Sequence, residues 1–431
     1  MLHNNLSVNA LGHLTLAGVD TVALAERYGT PLMLMDEERI RERMRIYRDG
    51  MRRHMGQSSF PCFASKAFCC KEIYRIAASE GIGIDVVSSG ELLTAHAAGF
   101  PLSRAMFHGN NKTDEDIALG LKLGIGFFVA DNTEELASIS AMANEMGIEQ
   151  SVLLRLTPGI DPHTHAKITT GQVDSKFGFA IETGQAEEAV RYALSLPAIH
   201  LRGFHCHVGS QCFDSTSFLD AAAIMLTFAA RMRHRYSYTT EILNLGGGYG
   251  VRYVESDPEM DIEENLCQVG EQIDLLCNDL GIPHPTIVME PGRSIVADAG
   301  VTLYQCGSVK SIPGYKTYVS VNGGMPDNPR FALYQSAYTI LNASHADRES
   351  NLIATIAGRC CESGDILQEN VSLFRPTRGD IISVLVTGAY NYAMASHYNR
   401  IPKPPVVMIK DGIDRLIIRR ETAEDLMRLE V

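Results

Sequence analysis

Eight short apolar runs, separated by stretches with helical periodicity, constrain the fold of this chain more than any other feature. They are FPCFAS (60–65), GIDVV (83–87), RAMFH (104–108), GFFVA (126–130), SVLLRL (151–156), LRGFHCH (201–207), EILNL (241–245) and TIVME (286–290). Near-continuous apolar strands alternating with helices indicate a parallel sheet covered on both faces. Eight is the strand count of a (β/α)8 TIM barrel, an α/β fold. An open doubly wound sheet alternates in the same way, so periodicity alone leaves closure undecided. The intervening stretches carry helix starts, with Ser or Thr followed by acids at Ser89-Gly90-Glu91-Leu92 and Thr113-Asp114-Glu115-Asp116.

After about residue 298 the texture changes to strand-like runs separated by turns: VTLYQCGSVKSI, KTYVSVNGG, NLIATIAG, DIISVLVTG, PPVVMIKDG and RLIIRR. This pattern predicts a second, mainly antiparallel β domain, with Asp411-Gly412 as a hairpin turn. The helix DTVALAERYG near the start is stopped by Gly29 and Pro31. The expected division is an N-terminal segment over 1–36 packing with the β domain, a barrel over 37–297 and the β domain over 298–431.

With 431 residues, 45% of them hydrophobic, the chain can bury a large core. A formal net charge of −13 disfavours nucleic acid, whose phosphates are bound through accumulated Lys and Arg. The basic cluster RMRHRY (231–236) reads as a solvated helix end. No apolar run approaches the ~18 residues of a membrane span, and MLHNNLSVNALGH lacks the pattern of a signal peptide, so the expected location is the cytoplasm. The 10 cysteines include the adjacent pairs Cys69-Cys70 and Cys360-Cys361 and no C-x-x-C, which predicts reduced thiols serving mainly as core fillers.

In a parallel barrel, ligands bind at the carboxyl ends of the strands, and polar residues accumulate there in this sequence. Lys66 follows the first run, Asp85 and Ser88 close the second, and His108 ends the third. Arg155 lies near the end of the fifth. His205 and His207 end the sixth, followed by Gly209-Ser210-Gln211. Gly246-Gly247-Gly248 follows the seventh and Glu290-Pro291-Gly292-Arg293 the eighth. GGGYG supplies bare backbone N–H groups for a phosphate, but it lacks both the dinucleotide fingerprint and the Lys-Ser/Thr of a P-loop.

A phosphate turn, a strand-end lysine, an acid and a flat histidine together suit pyridoxal phosphate. The lysine would hold its aldehyde and an acid, naturally Glu290, would pair with the ring nitrogen. The dry surroundings of Lys66 would favour the neutral amine. A competing reading takes His205-Cys206-His207 as His-x-His metal ligands; it needs further His, Asp or Glu ligands from other strand ends, where glycines and arginines occupy several positions, so no metal is expected.

The segments FASKAF, GIDVVSSGEL, HGNNKT, DSKFGF, GFHCHVGSQ, LNLGGGYG, EPGRS, DNPRFALY, CCESGD and GAYNYAMASHYNR occur in the order seen in diaminopimelate decarboxylases. The chain resembles that family, within the alanine-racemase-like pyridoxal-phosphate enzymes, from about Thr30 to the C-terminus. The resemblance implies that Lys66 carries the cofactor, His207 stacks on its ring and Glu290 pairs with its nitrogen. Ser210, Gly247, Gly248, the backbone of Gly292, Arg293 and the hydroxyl of Tyr390 would hold the phosphate or lie beside it. Arg293, Arg330 and Tyr334, with Tyr390 beside them, match substrate-binding positions, and Glu362 matches the reader of the distal ammonium. Cys361 matches a proposed proton donor, contributed with Glu362 by the partner subunit of a homodimer.

The implied reaction is decarboxylation of meso-2,6-diaminopimelate to L-lysine. The alternatives are a sister decarboxylase of ornithine, arginine, carboxynorspermidine or a siderophore intermediate, or a catalytically silent regulatory relative. Two departures stand out: Asn322 where the family has Asp, and Phe331 where it has Pro.

Overall fold

The computed structural model describes residues 3–159 and 175–431, so Asp174 of the DSKFGF segment lies outside the described residues. The chain divides into two compact units, one of residues 42–250 and 259–294, the other of 1–41, 251–258 and 295–431.

In the first unit all eight apolar runs are strands: Phe60–Ala64, Gly83–Val86, Ala105–Phe107, Phe127–Ala130, Gln150–Thr157, Ile199–His205, Ile242–Asn244 and Thr286–Met289. Each pairs in parallel with the next. The eighth returns to the first through Val288↔Phe60, which closes the barrel that periodicity left open. Its interior includes Cys62, Met106, Val129, Leu153, Ile242 and Val288, all buried. Burying one such side chain stabilises the fold by roughly 1.5–3 kcal/mol. A two-residue strand, Phe179–Ala180, adds beside Gln150–Thr157.

The helix starts follow the expected chemistry. Thr113 caps helix Asp114–Leu123 with a reciprocal bond to Asp116. The cap of helix Ser89–Ala97 is Ser88, one residue earlier than the segment Ser89-Gly90-Glu91-Leu92, because its hydroxyl accepts the Glu91 N–H. RMRHRY ends helix Thr216–Tyr236, where cations suit the carbonyl end.

The second unit is a mainly antiparallel sheet. Its strand Gly300–Ile312 pairs antiparallel with Lys316–Val321, with Ile381–Leu385 and with the N-terminal strand Leu32–Asp36. All five residues of Leu32–Asp36 are buried, so this strand shows no alternation. Two pairings are parallel, Leu32–Asp36 with Val406–Lys410 and Lys316–Val321 with Leu352–Ala357. Asp411 (φ 51°) and Gly412 (φ 75°) form the turn between Val406–Lys410 and Ile413–Ile418, both left-handed as a tight hairpin requires. Asp20 caps helix Thr21–Tyr28 and Gly29 ends it.

All ten cysteines are free. No helix among the described residues is long and apolar enough to cross a membrane.

Candidate active site

Lys66 sits in a 3-10 turn, Ser65–Ala67, directly after the first barrel strand. Asp85, at the end of the neighbouring strand, fixes this turn: its carboxylate accepts the Ser65 N–H at 2.9 Å and its carbonyl accepts the Ser65 hydroxyl. Burial, with the Glu290 charge adding to it, pushes the Asp85 carboxyl up to about 8. Phe63, Ala64, Ala67 and Phe68 around the turn are buried, but the Lys66 side chain is exposed. The apolar neighbours therefore anchor the turn and do not dry the amine within this chain, which differs from the sequence expectation.

The EPGR segment packs directly onto that turn. Ala64 N donates to Pro291 O at 3.1 Å, and a Cβ on Gly292 would lie 2.7 Å from the Ala64 Cβ. Arg293, 6% exposed, donates from Nη2 to the Ser210 hydroxyl at 2.9 Å. The glycine turn is equally close-packed. A Cβ on Gly247 would come within 2.1 Å of the Glu290 carbonyl oxygen, and one on Gly248, at φ +130°, within 2.5 Å of Gly209 O. Gly247 N donates to His207 Nδ1 at 3.2 Å. His207 is half-buried, and burial followed by the positive charges of Lys66 and Arg155 holds its pKa well below the ordinary value, leaving a neutral ring. Lys66, His207, Ser210, Gly247, Gly248, Glu290, Gly292 and Arg293 thus fall in one connected set at the strand ends.

The acid of this set is Glu290, which is buried. Asn244 Nδ2 donates to its Oε1 at 2.6 Å, His205 Nε2 lies 3.2 Å from Oε2, and His108 Nε2 lies 2.8 Å from Oε1. Burial alone would raise the Glu290 pKa, but His108 and His205 outweigh it and hold the carboxyl well below its usual range. Burial lowers His205 to about 4, so this ring is neutral near pH 7. A neutral His205 supplies a hydrogen bond and no net charge, and the 2.6 Å bond from Asn244 adds to it.

Sequence reasoning placed His108 and His205 at strand ends without bringing them together, and it gave Asn244 no role. A polar residue inside the apolar run EILNL was the available signal. The further ligands that a metal reading of His205 would need are in fact present: His108, His205 and Glu290 offer ligand atoms within 4.8 Å of one another. His207 is not among them.

Pyridoxal phosphate suits these residues. A carboxylate has about four lone-pair positions, and the hydrogen bonds from Asn244 and His205 leave room for a ring N–H. The glycine turn presents backbone where any Cβ would collide.

The other expected residues belong to the β unit. Arg330, 6% exposed, begins helix Arg330–Tyr334; its Nη1 donates to the hydroxyls of Tyr253 at 3.0 Å and Tyr338 at 3.2 Å. Tyr338 in turn donates to Asn391 Oδ1 at 3.2 Å, beside Tyr390, which holds a left-handed φ of 61°. Tyr334 and Tyr390 are half-buried. Cys361 and Glu362 are exposed in the connection between strands Leu352–Ala357 and Ile366–Leu373, where Cys361 N donates to Asn399 Oδ1 at 2.8 Å. Tyr253 and Tyr338 were not marked from sequence. Asn322 donates to the Thr30 hydroxyl at 2.7 Å and to its carbonyl at 3.1 Å, bonds that the family's carboxylate lacks the protons to make. Nothing in the structure explains Phe331.

A family model described as "Pyridoxal-dependent decarboxylase, pyridoxal binding domain" matches residues 37–297. The diaminopimelate decarboxylase of Bacillus subtilis (strain 168) is 44% identical over 430 residues, covering 100% of this chain and 98% of the relative. Among solved structures, diaminopimelate decarboxylase from M. jannaschii in complex with L-lysine superposes with a TM-score of 0.92 at 32% identity, covering 100% of this chain and 99% of that one. The Helicobacter pylori enzyme complexed with L-lysine gives 0.85 at 31% identity, covering 95% and 98%. The chain belongs to the diaminopimelate decarboxylase family of pyridoxal-dependent decarboxylases.

Proposed function

We propose that this protein decarboxylates meso-2,6-diaminopimelate to L-lysine and CO2 with pyridoxal phosphate, the last step of lysine biosynthesis. The buried, ionised Glu290 beside the Lys66 turn carries the reading. When bound, the cofactor accepts the electron pair released as the Cα–carboxylate bond breaks. Lys66 would hold it covalently through the ε-amine, and Glu290, presenting a fixed negative charge, would keep the ring nitrogen protonated. His207 offers a neutral flat face. Ser210, Gly247, Gly248 and Gly292 serve the phosphate together with the Tyr390 hydroxyl, and Arg293 positions Ser210. We take 37–297 as the cofactor-binding domain, 1–36 as a segment packed with the β domain and 298–431 as that domain.

The substrate carries two carboxylates and two ammonium groups, so its recognition calls for guanidinium forks and an acid. Arg293, Arg330 and Tyr334 take carboxylate, and Glu362 takes the distal ammonium. CO2 leaves from the D-configured end, and Cys361 or Lys66 delivers a proton to that carbon. Cys361 and Glu362 are exposed within one chain, which supports their contribution to the partner subunit's site in a cytoplasmic homodimer.

Turnover of a substrate panel tests this directly. Meso-diaminopimelate should give stoichiometric CO2 and L-lysine while ornithine and arginine give neither; decarboxylation of ornithine with diaminopimelate left intact would overturn it.

A further inference from the structure

The last residue of the CESGD segment, Asp365, is a buried acid of the β unit with both carboxylate oxygens hydrogen-bonded. Strand Lys316–Val321 runs parallel to Leu352–Ala357, with Ser320 opposite Ala357, so both chains leave the sheet at the same end. One exit continues through Gly323, Gly324 and Met325 to Arg330. The other carries Cys360, Cys361 and Glu362 before turning back at Ile366, which pairs with Ala357.

Asp365, 2% exposed, joins the two exits. Its Oδ1 accepts the Met325 N–H at 2.6 Å and its Oδ2 accepts the Cys360 N–H at 2.7 Å. The Arg359 N–H donates to Gly323 O at 2.9 Å, a direct bond between the same two segments.

The fit around this carboxylate explains two glycines. A Cβ on Gly324 would lie 2.3 Å from Asp365 Oδ1, and one on Gly358 would lie 2.2 Å from both carboxylate oxygens. Gly324 and Gly358 therefore leave the space that the carboxylate fills. The fixed geometry is passed on toward Arg330: Asp327 accepts the Gly324 N–H at 3.2 Å and the Tyr304 hydroxyl at 2.6 Å, and Asn328 N donates to Gly324 O at 2.9 Å, two residues before Arg330. A buried carboxylate is tolerated only when hydrogen-bonded, so the two loops cannot separate without orphaning it.

We infer that Asp365 is a positioning residue that locks the turn leading to Arg330 and the Cys361–Glu362 loop into one arrangement, so that a carboxylate reader of one active site and the residues offered to the partner subunit's site are held by a single buried side chain. The inference rests on the substrate roles proposed above for Arg330 and Glu362.

The test uses the full-length holoenzyme and the variants Asp365→Asn and Gly358→Ala. The second displaces the carboxylate without removing it, and it serves if the first fails to fold. Hydrogen exchange at residues 323–328 and 358–364 should accelerate in both segments together, by roughly tenfold. KM for meso-diaminopimelate should rise about fivefold to tenfold while kcat changes by less than about threefold. Faster exchange in one segment only, or in neither, overturns the coupling. Joint acceleration with KM unchanged overturns the substrate roles of these segments and with them the functional half of the inference.

Discussion

Glu290 and Asp365 are both buried acids, and they are stabilised in different ways. Glu290, in the barrel unit, is wrapped by side chains from three other strand ends: His108, His205 and Asn244. Asp365, in the β unit, is wrapped by backbone N–H groups and by glycines that leave it room. Side-chain donors can be tuned and can share their acceptor with a bound ring, which suits a carboxylate that works on a cofactor. Backbone donors are fixed to the chain, which suits a carboxylate that holds loops. The difference teaches that burial alone does not mark a chemical role; the kind of donor does.

The largest effect that would sharpen this contrast is expected from Glu290→Gln. The amide keeps the shape and loses the charge, so kcat should fall by roughly 10³-fold. Steady-state decarboxylation alongside thermal unfolding checks it, and a variant equally impaired in folding would place Glu290 with Asp365 as a structural acid.

Asn244→Leu should come next. It removes the 2.6 Å donor to Oε1, so Glu290 protonates at a higher pH. Glu290 is held below its unfolded value, so the stability it contributes is present above the unfolded pKa and is lost as pH falls through the folded one. Raising the folded pKa in the variant moves that loss, and the acid limb of kcat/KM, to higher pH. Stability at neutral pH should drop by about 1.5–3 kcal/mol, the cost of a charge-assisted bond. An unshifted acid limb would show that the histidines alone govern Glu290.

The smallest effect is expected from Asn322→Asp, which restores the family's residue. It deletes two donor bonds to Thr30, one to its hydroxyl and one to its carbonyl. Chemical denaturation should show a loss of roughly 1 kcal/mol with kcat unchanged. A stabilised variant would mean that a carboxylate finds another donor there.

Much of this molecule was legible in the sequence because barrel strands are buried on both faces and announce themselves as apolar runs. Polar groups then stand out at their ends, as Lys66, His207 and Glu290 do. Closure of the barrel was not legible, since the pairing of Thr286–Met289 with Phe60–Ala64 is a long-range event that no local pattern encodes. The strand Leu32–Asp36 is an apolar run too, but it stands outside the β-then-α alternation and pairs with Gly300–Ile312 far along the chain. Around Glu290, the sequence located His108 and His205 but not their convergence. Around Arg330, Tyr253 lies 77 residues away along the chain, and only the fold brings its hydroxyl, with that of Tyr338, to one guanidinium. Asp365 lies in the CESGD segment, but its bonds are to Met325 and Cys360, and the first of these cannot be seen along the chain.

The central claim is that Lys66 carries the cofactor. Incubation with pyridoxal phosphate, reduction with borohydride and peptide mapping tests it most directly. The account predicts a single covalent label on the peptide containing Lys66, absent in Lys66→Ala. A label on another lysine such as Lys112, or no specific label, would contradict it.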